Sequence, residues 1–547
     1  MRANVQMNKI EAMAESSAAI PDGKRWLSVT DAIKLVQAHL QAGRVVNAEQ
    51  VAADIVAARP RNPDAHHLLG IAFYRQQKME KAIKSIERAI DLAPATGAFH
   101  ANLAEMYRLK GQPELGLAAG EKAVTLNPKD SQGWNNLGII HFDRQDFVKA
   151  ESCYRNAVLA NENFGHAWNN LGNALVRLER DAEAHEAFAR AILLTPNYSE
   201  CMVNDGLSYR EEGELDLAEE RLRQAVQVNP RNANAQVSLA ILQKLKGDYG
   251  RGMMGYEWRL ALPEARRQNL PGQRWKGEAI AGKRLFVYAE QGLGDVIQYL
   301  RYLAPLAMRR PASIMVQVQP GLHKLAELSL PGVQFVKNPP ARDQVDLHCA
   351  IMSLPFLLRL PILPAEPQGK YLTAPEDMRI SFRERFAKYE GLKVGLVWQG
   401  NTSHKFDHHR SMPGEFLLPL IGVPDCHFFS LQIGHKAADG PFLDSGLVDL
   451  SKDVSSMTAT AAAICELDLV IAVDTSLAHL AGALGAPVWT ALSHVPDWRW
   501  GLAANTTPLY RSMHLFRQAG RRDWASVVAQ MEAPLREKVA SKMTNPL

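Results

Sequence analysis

The chain has 547 residues, 47% hydrophobic and 22% charged, with 62 lysines and arginines against 58 aspartates and glutamates. That length exceeds one domain, and that balance excludes a disordered chain, a collagen-like repeat and a coiled-coil rod. The net charge of +4, carried by the C-terminal half, is too small for a nucleic-acid footprint, while a single anionic ligand stays compatible.

Residues 1–28 read as a flexible N-terminal extension. Glu11 and Glu15 fall where an export signal would need its apolar core. The five cysteines, Cys153, Cys201, Cys349, Cys426 and Cys465, are widely spaced and form no CxxC pair. This argues against a disulfide framework and a structural zinc site, and a reducing, cytoplasmic setting is expected.

From residue 29 a repeat governs the chain. Pro60, Pro94 and Pro128 are 34 residues apart, as are Pro196 and Pro230, and only the slot at Glu162 lacks proline. In this frame the eighth position is small (Gly70, Ala104, Gly138, Gly172, Gly206, Ala240), as is the twentieth (Ala48, Ala82, Gly116, Ala150, Ala184, Ala218). Small residues recur where two helices must touch, and Trp134 and Trp168 fill the fourth position as bulky plugs. The pattern resembles the tetratricopeptide repeat, a helix–turn–helix unit that stacks into a solenoid because one helix pair cannot bury its own apolar face. An α solenoid over 29–266 is expected, with a concave surface suited to a protein partner. Its sixth position places Asn102, Asn136, Asn170 and Asn204 on one face of successive first helices. These amides either hold an extended acceptor peptide by its backbone or bridge neighbouring repeats. The last repeat is atypical and reads as a cap, followed by a linker at 267–282.

From residue 283 the period changes. RLFVYAE reads as a strand, QGLG as a turn and DVIQYLRYLAPLAMRR as a helix; SIMVQVQ, GLHKLAELSL and VQFVK follow. A second series runs KVGLVWQG, HFFSLQIG, the helical SSMTATAAAICEL, DLVIAVD, the helical TSLAHLAGALG and APVWTAL. Alternating strand and helix imply parallel sheets covered on both faces, in two Rossmann-like lobes at 283–390 and 391–535, with a tail at 536–547. Both lobes lie beyond about residue 270, so that half alone is expected to bind nucleotide. The apolar run around DLVIAVDTSLAHL is broken by Asp474 and His479 before the ~20 residues a membrane span requires.

No GxGxxG follows the first strand and no GxxxxGK[ST] occurs. His404, His408 and His409 with Asp407 lie on a loop without helical register, so no metal site is expected. Asp474 ends a buried strand, and Thr475 and Ser476 then open a helix whose backbone N–H groups favour phosphate; His479 sits one turn in. A capping role for these residues and a packed interior role for His479 remain equally open.

The ordered set YAEQGLGDVIQYLRY, VGLVWQGNTSHKFDHHRSMP, FFSLQIG, DLVIAVDTSLAHLAGALGAPVW, PDWRW and SMHLFRQ, behind the repeats, resembles bacterial repeat-bearing glycosyltransferases. Their catalytic part is similar to the ADP-heptose heptosyltransferase family, and they include flagellin-modifying enzymes related to protein O-GlcNAc transferases. The resemblance implies a two-lobed α/β GT-B fold and a metal-independent enzyme with a nucleotide sugar as co-substrate and no resident cofactor. The first lobe would take the acceptor, a protein hydroxyl with flagellin as one candidate, and the second the donor. By the same resemblance Asp295 is the catalytic base. The donor set is Gly292, Gly294, Trp398, Gln399, Asn401, Lys405, Arg410, Gln432, Asp474, Thr475, Ser476 and His479. His408 and His409 stand where relatives often carry arginines. Trp498, Arg499 and Trp500 read as a stacked motif. A repeat scaffold with a degenerate transferase part, or an enzyme acting on lipopolysaccharide, are the rival readings.

Overall fold

A computed structural model describes residues 27–265, 269–364, 369–401, 407–433, 442 and 445–544. The expected extension at 1–28 lies outside them except for its end, where Ser28 caps the first helix. The chain divides into two compact units, the first ending at Asp205 and the second beginning at Gly206.

The first unit is a stack of helix pairs: α1 (Val29–Gln41) and α2 (Val45–Ala58), α3 (Pro63–Arg75) and α4 (Met79–Leu92), α5 (Gly97–Leu109) and α6 (Pro113–Leu126). Then follow α7 (Ser131–Asp143) and α8 (Phe147–Ala160), α9 (Gly165–Arg177) and α10 (Asp181–Leu194). Each proline of the frame stands two residues beyond the end of a second helix, where it cannot disturb the helical hydrogen bonds. Helix α8 ends in register without a proline, so stacking as well as proline fixes the length. The small eighth position has a steric cause. A Cβ on Gly138 would lie 2.6 Å from the Tyr154 ring, and one on Gly172 would lie 2.5 Å from the Phe188 ring.

The division falls within α11 (Ser199–Glu212), well before the expected linker. The second unit therefore holds the end of α11, then α12 (Leu215–Val228), α13 (Ala233–Leu245) and α14 (Tyr249–Tyr256), together with the α/β part. Buried polar groups explain this. Arg259 is fully buried and bonds Glu290, Glu257 and Ser353, at 2.8 Å from its Nε to Glu290, 2.7 Å to Glu257 and 2.8 Å to Ser353. Lys244 of α13 is also fully buried, its Nζ 3.4 Å from the Tyr256 ring centroid and 4.2 Å from that of Trp498. A cut near residue 270 would remove Arg259 from Glu290, and the compact second unit begins well before the point from which the later half alone is expected to bind nucleotide.

The first sheet contains β1 (Gln273–Arg274), β2 (Arg284–Tyr288), β3 (Ser313–Gln317), β4 (Gln334–Phe335) and β5 (Leu347–Ala350) in the order β1-β5-β2-β3-β4, all parallel. Helices α15 (Leu293–Leu300) and α16 (Leu303–Ala307) connect β2 to β3, α17 (Pro320–Ser329) connects β3 to β4, and α18 (Leu354–Leu358) follows β5. Strand β1 lies inside the expected linker 267–282, so that segment is a sheet edge. Helix α19 (Glu376–Phe386) falls within the expected first lobe but serves the second: Arg379 and Arg383 pair with Glu466, and Phe386 stacks on Phe429 at 4.7 Å.

The second sheet has β6 (Leu392–Val397), β7 (Cys426–Ser430), β8 (Val448–Asp449), β9 (Leu469–Val473), β10 (Val488–Leu492), β11 (Thr506–Thr507) and β12 (Tyr510–Arg517). Their order is β11-β12-β10-β9-β6-β7-β8, parallel except at β11. Four helices accompany it: α20 (Asp407–Arg410), α21 (Leu418–Ile421), α22 (Met457–Cys465) and α23 (Ser476–Leu484). The expected tail at 536–547 is largely helical, since α24 (Trp524–Thr544) runs through it and buries Leu535 and Val539 in this lobe's core. Two parallel sheets with helical crossovers make two Rossmann-like lobes. No helix among the described residues is long and apolar enough to cross a membrane.

Candidate functional site

In the second sheet the strand order reverses between β6 and β9, and loops leaving their carboxyl ends open on one crevice; β2 occupies the same kind of position in the first sheet. The turns after these three strands line a cleft of about 1580 Å³ that is completed by the last repeats. The structure brings together there Gly292, Gly294, Asp295, Gln399, Asn401, Arg410, Gln432, Asp474, Thr475, Ser476 and His479. Lys405 lies outside the described residues.

Strand β9 is wholly buried and delivers Asp474 to the cleft, where α23 begins. Thr475 is the N-cap, yet its side chain makes no capping bond, and its buried hydroxyl has no hydrogen-bond partner among the described residues. Such a group costs free energy unless something else satisfies it. Burial, and then the neighbouring Asp497 carboxylate, push the Asp474 pKa up to about 6. His479 is buried, with Nδ1 2.8 Å from the Tyr510 hydroxyl and its ring 5.0 Å from that of Trp500. Burial and then the Arg499 charge depress its pKa to about 3, so it is neutral at physiological pH.

The start of α15 approaches closely. A Cβ on Gly294 would lie 2.9 Å from His479 Cδ2 and 3.3 Å from Ser476 Cα, so this contact between lobes needs glycine. Gly292 is the N-cap, and a Cβ there would meet only Asp295 at 3.4 Å. Asp295, in the first turn, accepts a hydrogen bond through Oδ1 from Arg499 Nη2. Arg499 is buried; it also bonds Asp497 at 2.7 Å and donates to Gln298. Burial would raise the Asp497 pKa, but the Arg499 charge and hydrogen bonds outweigh it and hold it low. The stacked PDWRW segment is thus an ionic clamp between lobes. Its sequence signal was an aspartate and an arginine set among tryptophans.

The loop after β6 is internally braced. Gln399 N donates to Gln432 Oε1 at 3.0 Å, and Gln432 Nε2 donates to the Gln399 carbonyl at 3.1 Å. The Gln432 amide therefore fixes the loop at the edge of the cleft that it also lines. Trp398 does not line the cleft: it is buried against Phe442, ring centroids 4.8 Å apart, which corrects its reading as a donor contact. Arg410 is oriented by Asp407 at 2.9 Å, while Ser411 joins Asp407 to the backbone of Gly400. A Cβ on Gly400 would lie 2.2 Å from Asp407, so the pair needs glycine there. His408 and His409 stack at 3.9 Å, and His409 Nε2 lies 3.2 Å from Glu211 at the end of α11.

The asparagines of the repeat frame are in register but committed elsewhere. Asn136 Nδ2 donates to the Ala101 carbonyl at 3.1 Å, Asn170 to Asn135 at 2.9 Å and Asn204 to Asn169 at 2.9 Å, while Asn102 Nδ2 lies 2.7 Å from His67 Nε2. Each bond reaches 35 residues back, so the ladder ties repeat to repeat, and the reading of these four as acceptor contacts gives way to that role. The repeat residues that reach the cleft are others: Arg210 and Glu211 of α11, and Asn234, Val237, Ile241 and Leu245 of α13.

Among known proteins, the family described as Cilia and flagella-associated protein 70 C-terminal domain matches residues 5–248. Protein FlbA of Caulobacter vibrioides is 25% identical over 97% of this chain and 94% of its own length. Protein O-mannosyl-transferase TMTC1 of Mus musculus is 28% identical over 23% of this chain and 14% of its own. Among solved structures, the APC/C hetero-tetramer Cut9-Hcn1 is 20% identical with a TM-score of 0.37, covering 39% of this chain and 42% of that one. YrrB, a TPR protein with an unusual peptide-binding site, is 18% identical with a TM-score of 0.29, covering 34% and 95%. The chain thus joins a solenoid of helix pairs to a C-terminal α/β part, and its similarity to FlbA runs over nearly the full length of both proteins.

Proposed function

We propose that the α/β part is a GT-B-type glycosyltransferase that moves a sugar from a nucleotide donor to a hydroxyl of a protein recruited by the repeats, with flagellin as one candidate acceptor. The observation that carries this reading is the start of α23. A buried hydroxyl without a partner, a helix N-terminus and the braced Arg410 border one cleft, which suits a diphosphate. Neutral His479 would add a hydrogen bond without competing charge. As the glycosidic bond breaks, these donors and Arg410 stabilise the negative charge on the departing phosphate.

The base role falls to Asp295, which keeps Oδ2 for the acceptor proton while Oδ1 accepts from Arg499. That pairing orients the carboxylate between the two lobes. Asp474, raised to about 6, lies near the range of an efficient proton acceptor. Calorimetric titration with UDP, ADP and CMP, followed by intact-mass analysis of flagellin from cells with and without the gene, tests the function. Binding of one nucleotide and a sugar-sized mass loss are expected. If none binds, the transferase reading fails and a scaffold role replaces it. Asp295→Asn should lower turnover by roughly two to four orders of magnitude with donor affinity kept; near-normal turnover transfers the base role to Asp474.

A further inference from the structure

The cleft holds more than a diphosphate site. Its volume of about 1580 Å³ exceeds the roughly 300–1,000 Å³ of small-molecule pockets. The surplus is bounded by α13, which turns Asn234, Val237, Ile241 and Leu245 toward it. Their spacing of three, four and four residues is one helical face. In the repeat frame they are the second, fifth, ninth and thirteenth positions. The flanks of this row pack inward with Ala235, Ala240 and Leu242 buried, while Val237 and Ile241 stay partly open to the cleft.

This wall is unlike the rest of the lining. Arg410, Thr475 and Ser476, from the loops after β6 and β9, suit phosphate, as do Arg210, Arg521 and Arg522 elsewhere in the lining, whereas the α13 row carries no charge and a single amide. Three aliphatic side chains give a diphosphate or a sugar nothing to bond, but they do favour another apolar side chain. A directed donor borders the same cleft. Gln518 is 6% exposed; its Oε1 accepts from the backbone N–H groups of His494 and Arg522, which fixes the amide, and its buried Nε2 has no partner among the described residues. A peptide carbonyl would satisfy it.

Resting on the transferase reading, we infer that the α13 wall and Gln518 form an acceptor subsite. An extended peptide would bind there with an apolar side chain near its hydroxyl-bearing residue, seated on Val237 and Ile241, and one carbonyl accepting from Gln518 Nε2. The last repeat then selects the acceptor within the reaction cleft itself, apart from any recruitment by earlier repeats.

The test uses the full chain and fluorescein-labelled serine-centred peptides of thirteen residues, with leucine or aspartate at the flanking positions, titrated by anisotropy with and without UDP, ADP or CMP. The wild type should bind the best leucine peptide about ten-fold more tightly than its aspartate counterpart, the scale of one apolar contact. A Val237→Asn/Ile241→Asn variant should lose that preference while keeping nucleotide affinity, and Gln518→Leu should weaken all peptides alike. Should the double variant fail to fold, Ile241→Ala alone should reduce the preference several-fold. No preference in the wild type, or an unchanged one in folded variants, overturns the inference. So does a fall in nucleotide affinity, which would give the wall to the donor. Lack of nucleotide binding by the wild type sinks the transferase reading separately, because the peptide arm is measured without nucleotide as well.

Discussion

Two helix starts border the cleft, and they are completed in opposite ways. The first turn of α15 carries its own carboxylate, Asp295, and Arg499 neutralises it. The first turn of α23 carries no acid, and Thr475 leaves its hydroxyl without a partner. Both ends present the same partial positive charge to the crevice. One is closed by the protein itself; the other has no side-chain cap among the described residues, and on the transferase reading its donors await an anion. A helix N-terminus is therefore informative only together with what already sits on it.

Removing Arg499 attacks the closed end. In Arg499→Met, Asp295 and Asp497 lose their shared partner at a buried position, and stability should fall by about 3–5 kcal/mol, read as denaturant midpoint shift. A loss under 1 kcal/mol would mean that the clamp does not hold the lobes. Gly294→Ala tests the approach of the two ends. Its Cβ would lie 2.9 Å from His479 Cδ2, so stability should drop by about 1–3 kcal/mol and nucleotide affinity with it.

His479 and Asp474 distinguish the ends by pH. His479 has a folded pKa of about 3, below its ordinary 6.5, so the unfolded chain binds more protons in between and stability falls on acidification. Asp474, raised to about 6, acts in the opposite sense from its ordinary value of about 3.9 up to 6. The two contributions offset each other between about pH 4 and 6. His479→Asn removes one of them. Relative to wild type, the variant should gain about 2 kcal/mol between pH 7 and pH 5 in unfolding free energy, at about 1.4 kcal/mol per pH unit below 6.5. A constant difference between the two proteins would show that His479 is not buried as a neutral ring.

The repeats were legible because their period is a packing rule: Gly138 and Gly172 lie directly against Tyr154 and Phe188. The β–α alternation likewise exposed both lobes and the Asp474–His479 segment, since wholly buried strands such as β9 are continuous apolar runs. Less visible was anything that depends on long-range pairing. Strands β1, β5 and β12 hold their places through neighbours far along the chain, and α19 looks like part of the lobe that precedes it. Trp398, at the edge of a loop in sequence terms, is a core residue in space. The asparagine ladder showed a face without a partner, and both uses of an amide fit the same spacing.

The smallest effect is the most discriminating. Thr475→Val keeps the shape of the side chain and removes only the hydroxyl. In the free protein that hydroxyl is buried and unpaired, so its loss should leave stability unchanged or raise it by up to about 1 kcal/mol. At the same time it removes a donor from the open helix start, and diphosphate affinity should fall about ten-fold, the effect of one hydrogen bond to a charged group. Thermal unfolding and calorimetric titration of the same variant therefore move in opposite directions. A variant that is destabilised with unchanged nucleotide affinity would make Thr475 a cap like any other, and the contrast between the two helix starts would lose its functional meaning.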